Sequence, residues 1–213
     1  MTSAPMSGRK KQAARNDEVI LQAAKDVFTA NPLAPIAAVA ERAGVGISAL
    51  YRRYPSKDAL LQKLCADGMR AYNHAGERAL DPALDPWDAF VRFMEEVVDA
   101  DTHSLTISLA GTFQPTEELF VLSQRGGELS HAVPDRARDA GALRPDVTNS
   151  DIALLFEQLA SVRLGDEART AELRRRYLAL VLDAIHLPSA ARPLPGNPPT
   201  PPELRARWVP KNP

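Results

Sequence analysis

Apolar residues recur along most of this chain at helical spacing. Val19, Ile20, Ala23, Ala24, Val27 and Phe28 fall at i, i+1, i+4, i+5, i+8 and i+9, the stripe of an amphipathic helix. Ile36, Val39, Ala40 and Ala43 make a second, shorter stripe, and Pro35 suits its first turn. Gly44 stops that helix, because a residue without Cβ takes the left-handed conformation at no steric cost. A tight turn through Gly44, Val45 and Gly46 leads to a short helix, Ile47 to Tyr54, with Leu50 turned inward and Pro55 at its end. Ser56 is placed to cap a longer helix running from Lys57 toward Leu80, whose Leu60, Leu61 and Leu64 close a small core.

The remaining pattern is helical too. Asp85-Pro86-Trp87-Asp88 reads as a cap, a proline in the first turn and an acidic residue at the positive helix end. Further helices are expected over Ser104 to Ala110, Glu117 to Gly141, Thr148 to Leu164 and Glu167 to Leu187. Gly126, Gly127 and Pro134 should interrupt the second of these, giving a kink or two separate helices. Thr148 with Asp151 forms a capping-box-like start, with Val147 stapled onto Ile152. The last two helices are apolar on more than one face, so each needs more than one cover. One cover is the domain core; the other is a second copy of the chain, or else both lie within a monomer.

Two helices joined by a short glycine-containing turn form a supersecondary motif that reads DNA, its second helix lying in the major groove. The exposed directions of the short second helix carry Ile47, Ser48, Ala49, Tyr51, Arg52 and Arg53. Ser48, Ala49 and Arg52 offer a hydroxyl, a methyl and a guanidinium to base edges, whereas Tyr51, Arg53 and Lys57 are long donors suited to phosphates. A plain helical hairpin with a solvated basic face is the bland alternative.

The segment AERAGVGISALYRRYPSKDALL resembles the signature of the TetR family of transcriptional regulators, A-G-V-S-x-x-x-L-Y-x-x-F-x-x-K-x-x-L. Ala43, Gly44, Val45, Leu50, Tyr51, Lys57 and Leu60 match it. Tyr54 replaces the usual Phe, Gly46 stands where Ser is commoner, and Ala34-Pro35 stands where many relatives have a capping Thr. GALRPDVTNSDIALLF resembles the regulatory domain of one subgroup, so the likeness runs over roughly residues 15 to 187. It implies an all-α protein: a three-helix helix-turn-helix DNA-binding domain over 15–55, then a helical ligand-binding and dimerisation domain over 56–187. Residues 1–14 would form a basic arm and 188–213 a Pro-rich tail.

By the same resemblance the partners are double-stranded DNA, a second copy of the chain and a small-molecule effector. The function implied is that of a repressor on a palindromic operator, released by that effector. Apolar pockets with a few oriented polar groups bind such molecules. Trp87, Phe90, Met94, Phe113, Phe120 and Phe156 are candidates for the apolar lining, and His103, Gln114, Gln158 and Arg163 for the polar set. Most of these aromatics, by spacing alone, are packing residues. The dimer would form through Leu155, Leu159, Val162, Tyr177, Val181 and Ile185.

Charge adds an independent observation. Residues 1–64 hold ten Lys and Arg against five Asp and Glu, whereas the remainder is net acidic, so a formal net charge of −1 hides a basic amino-terminal third. Arg9, Lys10 and Lys11 lead that third and are candidates for phosphate or minor-groove contact, or for a solvated tail. With 213 residues, 45% hydrophobic, the chain can bury a substantial core. No apolar run reaches membrane-span or signal-peptide length, which points to the cytoplasm and away from a membrane. Cys65 is the single cysteine, and it reads as a small buried residue rather than a redox sensor. The four histidines show no metal-ligand spacing, and no cofactor motif is present. Nine of the eighteen prolines crowd into 188–213, which excludes regular helix or central strand there and leaves a strap over the domain or a mobile tail. No hydrolase, phosphate-loop or zinc-protease motif occurs, so an enzyme is not expected; a helical enzyme or carrier assembled across helices is the alternative.

Overall fold

The computed structural model describes residues 8–101, 109, 112–187 and 194–206, with side chains of 16–101, 109, 112–187 and 194–203. Among the described residues the chain is helical: α1 Gly8–Ala30, α2 Ile36–Ala43, α3 Ile47–Arg53, α4 Lys57–Ala79, α5 Pro86–Asp99, α6 Glu117–Asp139, α7 Asn149–Ser161, α8 Glu167–Ile185 and α9 Pro201–Ala206. The helix expected over Ser104 to Ala110 lies outside the described residues except for Leu109, which is buried.

Two hydrophobic clusters organise these helices. Ile20, Ala24, Phe28, Val39, Leu50, Leu60, Leu61 and Leu64 hold α1 to α4 together, joined by Leu109 and by Leu119 from α6. Phe90, Phe93, Met94, Val133, Leu143, Ile152, Phe156, Leu178 and Leu182 form the second cluster, among α5, α6, α7 and α8. Helix α4 contributes to both, its first half to the former and Ala75 and Ala79 to the latter. A displacement of α4 is therefore felt in both cores.

The caps read from the sequence are in place. Ser56 Oγ accepts from Ala59 N at 3.0 Å, and Asp85 accepts from Trp87 N and Asp88 N at 2.9 and 3.0 Å. Thr148 and Asp151 exchange the two bonds of a capping box. Arg136 of α6 donates to the carbonyls of Ala79 and Leu84, closing the connection between α4 and α5.

Of the two expected outcomes, separate helices do not occur in α6, because neither its two glycines nor Pro134 divides it. The lost hydrogen bond at Pro134 costs about 3 kcal/mol, yet Leu129, Val133 and Ala137 on the same helix are all buried, and a buried Val or Leu contributes about 1.5–3 kcal/mol. Packing holds the helix through the proline. The glycines have separate roles: a Cβ on Gly76 of α4 would sit 3.0 Å from Leu129 Cβ, and one on Gly126 would sit 3.1 Å from Asn73 Oδ1, so α4 and α6 approach closely at both. Nothing lies within 4 Å of a Cβ on Gly127, which is exposed. Gly76→Ala should therefore lower stability by about 1–2 kcal/mol through overpacking, while Gly127→Ala raises it by about 0.5–1 kcal/mol. Thermal denaturation of the two variants tests this, and shifts of the same sign would contradict it.

The ends of the chain also differ from the sequence reading. Helix α1 begins at Gly8, so Arg9, Lys10 and Lys11 of the expected basic arm lie in its first turns. Gln12, Ala13, Ala14 and Arg15 are all good helix formers and sustain the helix. The Pro-rich segment includes a short helix, α9, at Pro201, where proline is tolerated in a first turn; Thr200 and Glu203 cap it reciprocally. Leu194 N donates to Asp146 Oδ2 at 3.1 Å, so this segment straps back onto the connection between α6 and α7. Trp208 and Val209 lie outside the described residues.

Candidate nucleic-acid interface

The turn between α2 and α3 is built as its residues dictate. Gly44 adopts φ 65°, ψ 29°, and its N–H and that of Val45 return to Glu41 O and Ala40 O at 3.1 and 3.0 Å. Gly46 then starts α3 without a side-chain cap. At 100° per residue, Leu50 and Tyr54 share one face of α3, and both are buried. Ser48 and Arg52 lie opposite them, one turn apart and exposed, flanked by Ile47, Tyr51 and Arg53, also exposed, and by half-buried Ala49. Arg52 makes no ion pair or hydrogen bond among the described residues. A groove of about 300 Å³ between α1 and α3 is lined by Asn16, Asp17, Ile20, Val45, Ala49, Arg52 and Arg53.

Two expected phosphate donors are already occupied. Arg53 donates side-on to Asp17 of α1, Nε to Oδ1 and Nη2 to Oδ2, each at 2.8 Å. The Tyr54 hydroxyl donates to the same Oδ1 at 2.7 Å. The Arg53 hydrogen bond outweighs burial and lowers the pKa of Asp17, and the pairing raises that of Arg53; burial, then Asp17, raises that of Tyr54. All three keep their ordinary protonation states across the physiological range.

Lys57 has a different role from the free phosphate donor expected. Its Nζ donates to Pro32 O at 2.9 Å and stands 5.0 Å from the centre of the Phe28 ring, so it fastens the connection between α1 and α2. The half-buried ammonium is held because a lysine at the first position of α4 lies beside that connection. Lys57→Met should thus cost about 1–2 kcal/mol of stability, from one hydrogen bond and one cation–π contact. Thermal melts without DNA measure it; an unchanged melting temperature would leave Lys57 no structural part.

Sequence reasoning missed Asp17 and its link to Tyr54. A signal was available: a hydroxyl replacing the usual Phe at a buried position needs a partner. The partner's position, 37 residues earlier on α1, was not legible without the fold.

The expected effector residues are dispersed. Phe90, Met94 and Phe156 fill the second core, and the space beside Phe156, Val97, Leu159 and Arg174 is about 10 Å³, room for roughly one water. Half-buried Trp87 stacks on His186, with centroids 4.1 Å apart. Phe120 is 63% exposed and Gln158 and Arg163 are exposed, so these three do not join a buried pocket; Phe113 packs on the first core instead. Gln114 receives the Gln62 amide at its carbonyl, and His103 lies outside the described residues. Cys65 is buried, which raises its pKa to about 11 and keeps the thiol protonated.

On the expected dimer helices, Leu159 and Ile185 are also core residues, because their helical positions turn them toward Phe93 and Phe156 within the second cluster. Tyr177 is 45% and Leu180 57% exposed, and Leu155, Val162 and Val181 are half-buried. No helix among the described residues is long and apolar enough to cross a membrane.

Comparisons with known proteins agree with this geometry. Residues 20–64 match the family described as bacterial regulatory proteins of the tetR family, and residues 85–187 match the SbtR-like transcriptional regulator C-terminal domain. The chain is 36% identical over 96 residues, 45% of its length, to the HTH-type transcriptional repressor LfrR of Mycolicibacterium smegmatis, and the match spans 49% of that relative. Its fold is similar to the crystal structure of LfrR from Mycobacterium smegmatis in complex with proflavine, with a TM-score of 0.56, 24% identity and coverage of 85% and 99% of the two chains. It is also similar to a TetR regulatory protein from Mycobacterium vanbaalenii, with a TM-score of 0.54, 25% identity and coverage of 84% and 99%. Matched by family models at both its DNA-binding and its regulatory end, the chain belongs to the TetR family of non-enzymatic transcriptional regulators.

Proposed function

We propose that the protein is a ligand-responsive repressor that binds a palindromic operator as a homodimer. The observation that carries this reading is the exposed face of α3, where Ser48 and Arg52, which has no partner among the described residues, stand opposite the buried Leu50 and Tyr54. Ser48, Ala49 and Arg52 read bases; Tyr51 and the outer edge of Arg53 meet phosphates, as do Arg9, Lys10 and Lys11 at the start of α1. The DNA-binding domain takes residues 15–55 and the regulatory domain 56–187. The relative LfrR is a transcriptional repressor, which supports the same sign of regulation here.

The dimer forms through α7 and α8, using Tyr177, Leu180, Val181, Leu155 and Val162, the large apolar side chains that the chain's own core leaves wholly or partly uncovered. An effector enters among Trp87, Phe90, Met94 and Phe156 by moving packed side chains apart, since the space now beside Phe156 holds no more than about a water. The LfrR crystal structure, a complex with proflavine, is a precedent for a small molecule bound by a protein of the same fold.

Three consecutive residues at the end of α5 carry the signal to the DNA-binding helices. Asp99 is paired with Arg175 at 2.7 Å, Ala100 O accepts from Lys25 Nζ of α1 at 2.8 Å, and Asp101 is paired with Arg174 at 2.7 Å. A shift of α8 is thereby felt at α1. Electrophoretic retardation of the gene's own upstream DNA, with sedimentation of the free protein, tests the reading. A dimer that retards a palindromic fragment is expected; a monomer with no retardation at low salt would overturn it.

A further inference from the structure

We propose that Asp17 is a specificity-determining residue: by pairing with Arg53 it withholds one positive charge from non-specific DNA binding, and so widens the margin between operator and random sequence. The inference rests on the DNA-binding reading of α3. Three observations carry it. Arg53 is the terminal residue of α3 and lies on the groove that separates α3 from α1, beside Arg52. Among the described residues its guanidinium is engaged along one edge only, Nε and Nη2 both donating to Asp17 at 2.8 Å, while the Arg53 side chain remains 55% exposed. Asp17, in contrast, is 16% exposed and is fixed by a third donor, the Tyr54 hydroxyl at 2.7 Å.

A guanidinium has two faces for oxyanions, the Nε–Nη2 side and the Nη1–Nη2 end. Asp17 takes the side and leaves the end directed away from it. The pair as a whole is neutral, so it releases few counterions when it meets a backbone phosphate, and counterion release drives essentially all sequence-independent affinity. At the operator, where α3 is seated by its base contacts, the free end of the guanidinium can still donate to one phosphate in a fixed orientation. On random DNA, where no base contact seats the helix, the neutralised charge gives little. The carboxylate thereby lowers non-specific binding more than specific binding.

Tyr54 completes the arrangement. Its hydroxyl, absent from the Phe usual at this position of the resembled signature, holds the carboxylate in the side-on geometry without changing any charge.

The test uses the full-length protein and a random duplex, titrated by fluorescence anisotropy from low to moderate salt. Asp17→Asn keeps the side-chain shape and frees the Arg53 charge. One additional phosphate contact steepens the slope of log K against log salt by about 0.9, which near 0.1 M is roughly eightfold tighter binding. Affinity for the operator should rise less, so the ratio of specific to non-specific binding falls. In an Arg53→Gln background the same Asp17→Asn change should do nothing to the slope. Thermal melts of each variant establish that the titrated protein is folded. An unchanged or shallower slope in Asp17→Asn overturns the proposal, as does a gain that persists without Arg53. Failure of the wild-type protein to bind any duplex at low salt would instead strike the DNA-binding reading itself, and this inference with it.

Discussion

Arg52→Ala is expected to weaken operator binding by roughly 5- to 150-fold, the equivalent of about 1–3 kcal/mol, while affinity for a scrambled duplex changes far less. The expectation follows from where the side chain stands. Arg52 projects from the face of α3 opposite Leu50 and Tyr54, is exposed, and has no partner of its own among the described residues. Its removal costs the free protein nothing in packing, so a loss in affinity reports contact with DNA. A bidentate guanidinium on the acceptors of a guanine is lost outright when truncated, and the wrong base cannot compensate. Anisotropy titrations at one fixed salt concentration, with operator and scrambled duplex side by side, separate this from a phosphate contact. Equal losses on both duplexes would move Arg52 from the base-reading set to the backbone set.

Arg52 and Arg53 are adjacent and chemically identical, and although the sequence assigns one to bases and the other to phosphates, they differ further in what the fold offers them. Helical geometry alone separates Leu50 from Arg52, which is why the exposed face of α3 was legible from the 3.6-residue period. It does not say that Asp17, on another helix, waits beside Arg53. Lys57 shows the same limit: its place in the signature identified the motif, but its bond to Pro32 O depends on how α1 turns into α2. Local signals, the glycine at φ 65° and the caps at Ser56, Asp85 and Thr148, were legible because each is decided within four residues. Pro134 misleads for the opposite reason. Its local penalty is real, and the burial that outweighs it comes from helices distant in sequence. The residues expected at a dimer interface divide along the same line, since Leu159 and Tyr177 both satisfy an apolar periodicity and only the packed structure tells which is covered.

Arg174→Ala is expected to destabilise the protein by about 3 kcal/mol, the lower end of the cost of breaking a buried ion pair. At 213 residues each kcal/mol is roughly 2–4 °C, so the melting temperature should fall by about 6–12 °C. Arg174 is 6% exposed, and its guanidinium donates to Ala160 O at 2.8 Å and Val162 O at 3.2 Å, carbonyls at the end of α7 that helix geometry leaves without donors. It also pairs with Asp101, which holds φ 49°, a conformation costly for a residue with a Cβ. The lower end applies because the Asp101 side chain is 23% exposed and water can reach it. Arg174→Lys keeps the charge but not the fork, so it should recover the Asp101 pairing and lose one of the two carbonyl bonds, giving an intermediate melting temperature. A shift below about 2 °C for Arg174→Ala would mean that water replaces the guanidinium at little cost. Because Lys25 of α1 grips Ala100, the residue before Asp101, loosening this turn should also blunt any effector's influence on DNA affinity. Stability and the proposed signalling route then share one anchor: the bond that caps α7 is made by the same side chain that fixes the turn between α8 and α1.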